Sequence, residues 1–184
     1  MPWKKFEDEA YNFLKSKINK KDVVIDFFGG SDSTAADIKI FKKNKHLSTI
    51  EVKEKKAQIG QLVIEYVHKE SKYILSRKSP DYEEKLRISN EILKFINVNI
   101  EDYQNINQST ELKCNEDLSY NYLEKFNKLR NYDYFLSKNS KNQIKIIHVK
   151  KFRKYFKVNA IIRYKPSGSR HAPKKDHKII EKFI

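Results

Sequence analysis

Two alternating segments joined by a short polar turn constrain the fold of this chain more than any other feature. Residues 37–41 (Asp-Ile-Lys-Ile-Phe) and 48–53 (Ser-Thr-Ile-Glu-Val-Lys) alternate polar and apolar side chains, which is the period of a half-buried strand. The polar run Lys43-Asn44-Lys45 lies between them and favours a turn. The two segments are therefore predicted to pair as an antiparallel β-hairpin.

The patterns around the hairpin predict an α/β fold. Apolar residues recur every three or four positions over residues 3–18, which predicts an amphipathic helix. Similar reasoning predicts, in order, a strand at 23–28 ended by Gly29-Gly30, a helix at 57–69, a strand at 72–76 and a helix at 80–96. The order helix, three strands, helix, strand is typical of an α/β sandwich with a mixed sheet.

The second half of the chain is less regular. Residues 97–142 are rich in Asn, Tyr, Ser and acids and are interpreted as an irregular insertion with a short helix at 118–129. Strands are predicted at 143–149 and 155–164, then a loop at 165–173 and a short helix at 178–183. We expect one domain over 1–184, divided into a core at 1–77, a helix and irregular insertion at 78–142, and a β-rich C-terminal extension at 143–184.

The positive charge of the chain is concentrated near its end. The formal net charge is +15 over 184 residues, with 39 Lys and Arg against 24 Asp and Glu. Residues 141–178 contain 13 basic residues and one acid, a net of +12, whereas the remainder is nearly balanced. A basic surface of this kind favours a polyanionic partner, with nucleic acid as the first expectation.

Composition also excludes several classes of protein. The single cysteine, Cys114, excludes an internal disulfide and a zinc site built on several thiolates. The first residues carry charges where a signal peptide needs an apolar run, and no segment approaches the length of a membrane span. Gly29-Gly30-Ser31 lacks the Gly-Lys-Ser/Thr ending of a phosphate-binding loop, so no nucleotide cofactor is expected. We expect a cytoplasmic protein of prokaryotic or phage type with no membrane partner.

The hairpin brings two acids and a lysine to one end of the sheet. A turn centred on Asn44 places Asp37 opposite Glu51, and cross-strand partners share a face. Lys53 follows Glu51 by two residues and so lies on the same face, whereas Ile50 and Val52 point to the core. The alternative interpretation is a surface hairpin whose charges are simply solvated.

Such a trio suits hydrolysis of a phosphodiester. Two carboxylates at this spacing can hold Mg²⁺, and the main-chain carbonyl of Val52 could be a further ligand. The ammonium of Lys53 can orient a water and offset charge that develops on the phosphate. Asp37, Glu51 and Val52 are therefore candidate metal ligands, and Lys53 is a candidate catalytic residue.

These residues resemble the PD-(D/E)XK nuclease superfamily, and in particular type II restriction endonucleases. The resemblance covers residues 3–77 and rests on Ser33-Thr-Ala-Ala-Asp37 and Ile50-Glu51-Val52-Lys53, with Phe6-Glu7 before them and Gln58 and Gln61 after them. The family core is α-β-β-β-α-β, a mixed sheet flanked by helices, which is the order predicted above. Ala36 stands where the motif name has Pro, and Tyr66 follows Gln61 by five residues instead of the four of RecB-like nucleases.

The resemblance implies Mg²⁺-dependent cleavage of double-stranded DNA, with Mn²⁺ as a substitute, that leaves 5′-phosphate and 3′-hydroxyl ends. Asp37 and Glu51 would be the metal ligands and Lys53 would orient the water. Glu7 would support a second metal or a ligated water, with Glu9 as the competing acid. Gln61 would complete the catalytic set.

Several alternatives remain at individual positions. Asp26, within an apolar strand, and Asp32, after Gly29-Gly30-Ser31, compete with Asp37 as the first metal ligand. Gln58 and Gln61 are three residues apart and would share one face of the predicted helix, beside DNA or at a polar edge.

The basic C-terminal extension is the expected DNA-contact region. Lys and Arg supply phosphate contacts, and Arg can read guanine in the major groove. The candidate DNA-binding residues are Gln58, Lys150, Arg153, Arg163, Lys165, Ser167, Ser169, Arg170 and Lys174. A palindromic target would call for a homodimer.

Two other functions compete with a restriction endonuclease. One is a Holliday-junction resolvase or another structure-specific nuclease of the same fold. The other is a non-catalytic nucleic-acid-binding protein in which the spacing of Glu51 and Lys53 is incidental.

Overall fold

The computed structural model describes residues 2–28, 36–54, 57–79, 81–164 and 177–183. In chain order the elements are α1 (Pro2–Lys17), β1 (Val23–Phe27), β2 (Ile38–Lys42), β3 (Lys45–Val52), β4 (Gln58–Val67), β5 (Lys72–Leu75), α2 (Tyr82–Val98), α3 (Ile100–Gln104), β6 (Thr110–Glu111), α4 (Glu116–Leu129), β7 (Tyr134–Lys138), β8 (Ile144–His148), α5 (Phe152–Tyr155), β9 (Asn159–Tyr164) and β10 (His177–Phe183), with 3-10 turns at His68–Glu70 and Val149–Lys151. They form two compact units, Met1–Ala57 with Asn127–Phe156 and Gln58–Phe126 with Lys157–Ile184.

The first unit contains a mixed five-stranded sheet in the order β1-β2-β3-β7-β8. β3 and β7 run parallel, with Ile50 beside Tyr134 and Val52 beside Leu136, and the other neighbours are antiparallel. One face of this sheet is covered by α1, whose apolar stripe packs on β2, β3 and β7. The buried residues of this core are Phe6, Ala10, Leu14, Ile38, Ile40, Ile50, Val52 and Leu136.

The predicted β2–β3 hairpin is confirmed, including its register at the acid-bearing end. Lys43 and Asn44 both have left-handed φ angles, 48° and 63°, as a two-residue type I′ turn requires. Ile38 pairs with Ile50, which is the register that places Asp37 opposite Glu51. The turn pairs Lys42 with Lys45, and a bulge between Ile40 and Phe41 then shifts the register by one residue, so that Ile40 pairs with Ser48 and the acid-bearing end has the predicted pairing.

The second unit contains an antiparallel five-stranded sheet in the order β5-β4-β10-β9-β6. Its edge strand β5 is held by α2, because Asn97 Oδ1 accepts from the Tyr73 amide at 2.6 Å and Asn97 Nδ2 donates to the Tyr73 carbonyl at 2.9 Å. The unit also has a mainly apolar centre. Its hydrophobic side chains with at most 1% exposure are Leu62, Ile64, Leu75, Ile92, Ile96, Tyr103, Leu123, Ile162 and Ile180.

The helix predicted over residues 57–69 is wrong, because this segment is the ten-residue strand β4. Ile59, Leu62, Val63 and Ile64 are all buried, so both faces of the strand are covered and the alternation that marks a strand is lost. A bulge in β4 makes the alternation of a strand still harder to recognise in this segment. Leu62 pairs with Ile180 but Ile59 pairs with Lys182, so one extra residue lies in β4 around Gly60, whose φ is 74°.

The C-terminal helix predicted over residues 178–183 is also wrong, because this segment is β10. It lies between β4 and β9 and pairs with both. Backbone pairing on two sides satisfies its amides and carbonyls, whereas a helix of six residues is marginal in water. Asn159 begins β9 four residues later than predicted, since α5 occupies Phe152–Tyr155.

The segment 97–142 is more regular than predicted. The helix expected at 118–129 is confirmed as α4, and α3, β6 and β7 lie in the same segment. β7 joins β3 in the central sheet, so the order α-β-β-β-α-β is completed by α4 and β7 and not by residues 57–76. The boundaries predicted at 77/78 and 142/143 do not coincide with the two units.

The fold is nevertheless the predicted class, an α/β fold with a mixed central sheet and helices. Among the described residues, no helix has the length and apolar character needed to cross a membrane.

Candidate active site

The carboxylate of Asp37 is fixed to the end of the neighbouring strand. Asp37 lies just before β2, and its carbonyl accepts a hydrogen bond from the Phe28 amide at 2.8 Å. Its Oδ2 accepts from the Val52 amide at 2.7 Å. The side chain is thereby held across β3, close to Glu51.

Glu51 and Lys53 form an ion pair beside Asp37. Glu51 is 5% exposed, and its Oε1 lies 2.6 Å from Lys53 Nζ. The Lys53 amide donates to the Leu136 carbonyl on β7 at 3.0 Å, so the backbone of this residue continues the parallel pairing beyond β3. The backbone that carries the Lys53 ammonium is therefore held against β7.

Glu7 adds a third carboxyl group from α1. It is 9% exposed and lies close enough to Asp37, Glu51 and Lys53 for all three to influence its ionisation. The competing acid, Glu9, is engaged elsewhere, since its Oε2 lies 2.6 Å from Lys138 Nζ on β7. The geometry therefore associates Glu7, and not Glu9, with the acid cluster.

Burial and mutual repulsion weaken the acidity of this cluster. Burial raises the pKa of Asp37 and Glu51 despite the nearby ammonium of Lys53. Burial and the charge of Asp37 raise the pKa of Glu7 to about 7. Burial by itself would lower the pKa of Lys53, but the carboxylates of Glu51 and Asp37 outweigh it and raise that pKa. Among the described residues, three acids and one ammonium thus share the site, so the acidic groups outnumber the basic ones.

Tyr132 is a further member of the site that the sequence did not indicate. It lies between α4 and β7, is 6% exposed, and its hydroxyl donates to Glu51. Burial and the Glu51 carboxylate raise the pKa of Tyr132, so the phenol keeps its proton and remains a donor. No local pattern distinguishes this tyrosine from the other ten in the chain.

The residues present fit a divalent cation. The Oε2 atoms of Glu7 and Glu51 are buried and have no hydrogen-bond partner among the residues that the structure describes, a costly state unless another group satisfies them. No group of three or more His, Cys, Asp or Glu within the described part of the chain has metal-binding geometry. The better match is Mg²⁺, which is commonly held by one or two carboxylates together with substrate phosphate and water.

The competing acids lie in other surroundings. Asp26 is half-buried on β1 and pairs in register with Lys39 of β2, two residues along that strand from Asp37. Asp32 lies outside the described residues.

The two glutamines are exposed on β4 and belong to the second unit, whereas the acids and Lys53 belong to the first. Gln58 and Gln61 lie on a strand and not on the predicted helix. Residues three apart on a regular strand face opposite sides, but the extra residue of the bulge between them leaves both glutamines exposed. Their catalytic and DNA-binding roles stay predictions.

The predicted DNA-binding residues are divided between the two units. Lys150 and Arg153 are exposed on the short helical segment after β8, in the first unit. Arg163 is half-buried on β9, in the second. The remaining candidates lie outside the described residues: Lys165, Ser167, Ser169, Arg170 and Lys174.

We expect Glu7→Gln to stabilise the metal-free protein at pH 8. Because the pKa of Glu7 is raised from 4.5 to about 7, the folded state binds the proton more tightly than the unfolded chain. The stability of the wild type therefore falls as the pH rises between these two values, and Gln removes this loss. In EDTA the gain should be about 1–2 kcal/mol at pH 8 and should vanish near pH 4, measured by urea unfolding. The exposed neighbour variant Asp8→Asn is the control, and an equal gain at both pH values would contradict the assignment.

Comparison with known proteins supports the fold assignment. No protein-family model and no curated protein sequence matches this chain. Among solved structures, the chain is similar to HhaI endonuclease in complex with DNA, with a TM-score of 0.72 and 29% sequence identity. The match covers 95% of this chain, which spans 65% of the length of that endonuclease chain. The chain has a type II restriction-endonuclease-like fold.

Proposed function

We propose that this protein is a Mg²⁺-dependent endonuclease that hydrolyses phosphodiester bonds of double-stranded DNA, as a sequence-specific type II restriction enzyme does. The observation that carries the proposal is the cluster of Asp37, Glu51, Glu7 and Lys53, in which two buried carboxylate oxygens have no partner among the described residues. The similarity to an endonuclease solved with DNA supports the same activity.

Asp37 and Glu51 would hold the metal, with the Val52 carbonyl as a further ligand and Glu7 holding a ligated water. When bound, Mg²⁺ would lower the pKa of a water and offset negative charge on the phosphate, and Mn²⁺ would substitute. The excess of acids over Lys53 is what such a cation would balance. The raised pKa values of Glu7, Asp37 and Glu51 are consistent with this imbalance.

Lys53 would act directly on the reacting groups. Its ammonium can donate to the attacking water or to a non-bridging phosphate oxygen, where negative charge develops. The 2.6 Å ion pair with Glu51 limits the positions available to that ammonium. Tyr132 would in turn orient Glu51 through its hydroxyl, as a positioning residue. Hydrolysis in this arrangement would leave 5′-phosphate and 3′-hydroxyl ends.

The charge distribution supports DNA as the substrate. The basic C-terminal segment supplies cations that can neutralise phosphates, whereas the catalytic acids lie in the nearly neutral remainder. Recognition of a palindromic sequence would require a homodimer with twofold symmetry.

The proposal is tested by digestion of plasmid and phage DNA, both methylated and unmethylated, with the purified protein. We expect discrete fragments with Mg²⁺ or Mn²⁺ and none with Ca²⁺ or EDTA, and sequencing of the ends gives the cut position. Binding of DNA without cleavage in Mg²⁺ or Mn²⁺ would indicate a non-catalytic binding protein. Cleavage of four-way junctions but not of linear duplex would indicate a structure-specific nuclease.

A further inference from the structure

A cleft of about 780 Å³ lies in the first unit, on the sheet face that carries Asp37 and Glu51. It is bounded by β2 and β3 on one side and by the segment between α4 and β7 on the other. Its lining includes Lys39, His46, Thr49, Arg130, Asn131 and Asp133.

The cleft continues the acid cluster along the same two strands. Lys39 follows Asp37 by two residues, and Thr49 precedes Glu51 by two, so all four face the same side of the sheet. Lys39 and Thr49 are themselves paired in register. One such step along a strand is about 7 Å, so the cleft begins next to the candidate metal ligands.

The wall of the cleft is held in place by hydrogen bonds. The Thr49 amide donates to Asp133 Oδ2 at 2.8 Å, and the Asp133 amide donates to the Thr49 carbonyl at 3.0 Å. Thr49 Oγ1 lies 2.9 Å from His46 Nε2. The carboxylate of Asp133 is thereby committed to the backbone of β3.

The cationic groups of the cleft are Lys39 and Arg130, one on each side. Lys39 Nζ also lies 4.9 Å from the centre of the Phe28 ring, and a lysine ammonium has three hydrogens that it can donate to an anion. Arg130 is half-buried and presents a planar set of donors suited to phosphate oxygens. Lys39 lies one strand step from Asp37, and Arg130 lines the other side of the cleft. Two cations placed in this way favour an extended polyanion.

We propose that this cleft binds the sugar-phosphate backbone of the nucleic-acid strand adjacent to the cleaved bond, with Lys39 and Arg130 as its phosphate contacts. The inference rests on the proposed function and assigns a binding subsite to that active site. Neither residue belongs to the basic C-terminal segment.

The test measures binding of a short DNA duplex in Ca²⁺ over a series of salt concentrations. Lys39→Gln and Arg130→Gln should each weaken binding about 3–10-fold near 100 mM salt and make the plot of log K against log salt shallower by about 0.9. Lys42→Gln is the matched control, because Lys42 lies on the same strand but faces the other side, in an exposed pair with Asp22 at 3.7 Å.

Charge-preserving variants separate phosphate contact from damage to the fold. Lys39→Arg should keep the salt dependence of the wild type even if its affinity changes slightly. If both Gln variants match Lys42→Gln in affinity and salt dependence while the wild type binds and cuts DNA, the subsite is wrong and the proposed function stands. If the wild type neither binds nor cuts DNA, the proposed function fails and this inference fails with it.

Discussion

Lys53→Ala and Asp37→Ala are each expected to lower Mg²⁺-dependent DNA cleavage about 10³-fold, while binding to DNA in Ca²⁺ is preserved. Lys53→Ala removes the ammonium that would stabilise charge developing on the phosphate. Asp37→Ala removes a carboxylate that would hold the metal and also the acceptor of the Val52 amide at 2.7 Å. Initial cleavage rates and duplex affinity, measured on the same preparations, test both parts of the expectation.

A structural defect must be separated from a catalytic one. Asp37→Asn retains an oxygen that can accept from the Val52 amide but lacks the charge, so we expect it to fold normally and still lose cleavage. Asp22→Ala and Lys42→Ala are the control variants, since they remove an acid and a lysine that form an exposed ion pair in the same unit. Both variants should cut DNA at the wild-type rate. Normal cleavage by Lys53→Ala or Asp37→Asn would exclude the proposed active site.

Lys178→Met is expected to lower the free energy of unfolding by about 3 kcal/mol. Lys178 is 3% exposed on β10, and its ammonium donates to the carbonyls of Tyr103 and Gln104 at the end of α3. It also lies 5.3 Å from the centre of the Tyr73 ring on β5. Met keeps most of the apolar stem of the lysine side chain but leaves the two helix carbonyls without this donor. The expected loss is large because a hydrogen bond to a charged group contributes about 1.5–3 kcal/mol.

Urea unfolding of Lys178→Met and of a control variant, Lys72→Met, measures this effect. Lys72 lies on β5, the edge strand of the same sheet, is 46% exposed and pairs with the exposed Glu70 side chain, so its loss should cost less than about 0.5 kcal/mol. Equal stability of the two variants would show that the buried ammonium does not hold α3 to this sheet. Lys178→Arg, which retains the charge and its donors, should recover part of the stability.

The β2–β3 hairpin could be predicted because its two strands and its turn are neighbours in the sequence. A turn centred on Asn44 predicted that Asp37 lies opposite Glu51, and alternation then determined which side chains share a face. The structure reaches this register in another way: the two-residue turn at Lys43 and Asn44 pairs Lys42 with Lys45, and the bulge between Ile40 and Phe41 shifts the pairing by one residue to the predicted register.

Other parts of the site could not be read from local patterns. Glu7 and Glu9 are both acids of one helix, and only the packing of α1 brings Glu7 to the acids while Glu9 pairs with Lys138. Tyr132 approaches Glu51 from a segment about 80 residues away along the chain, so no spacing in the sequence indicates it.

The sequence by itself determined the first helix, the hairpin and which side chains of each strand share a face, because each follows from a turn or a period within about 20 residues. The tertiary structure decided the register that brings Asp37 opposite Glu51, since a bulge shifts the pairing that starts at the turn. Only the tertiary structure decided that residues 58–67 form a strand, since burial on both faces and a bulge remove the alternation that marks one. Only the tertiary structure placed β7 beside β3, because parallel pairing joins segments separated by a long crossover that no local pattern encodes.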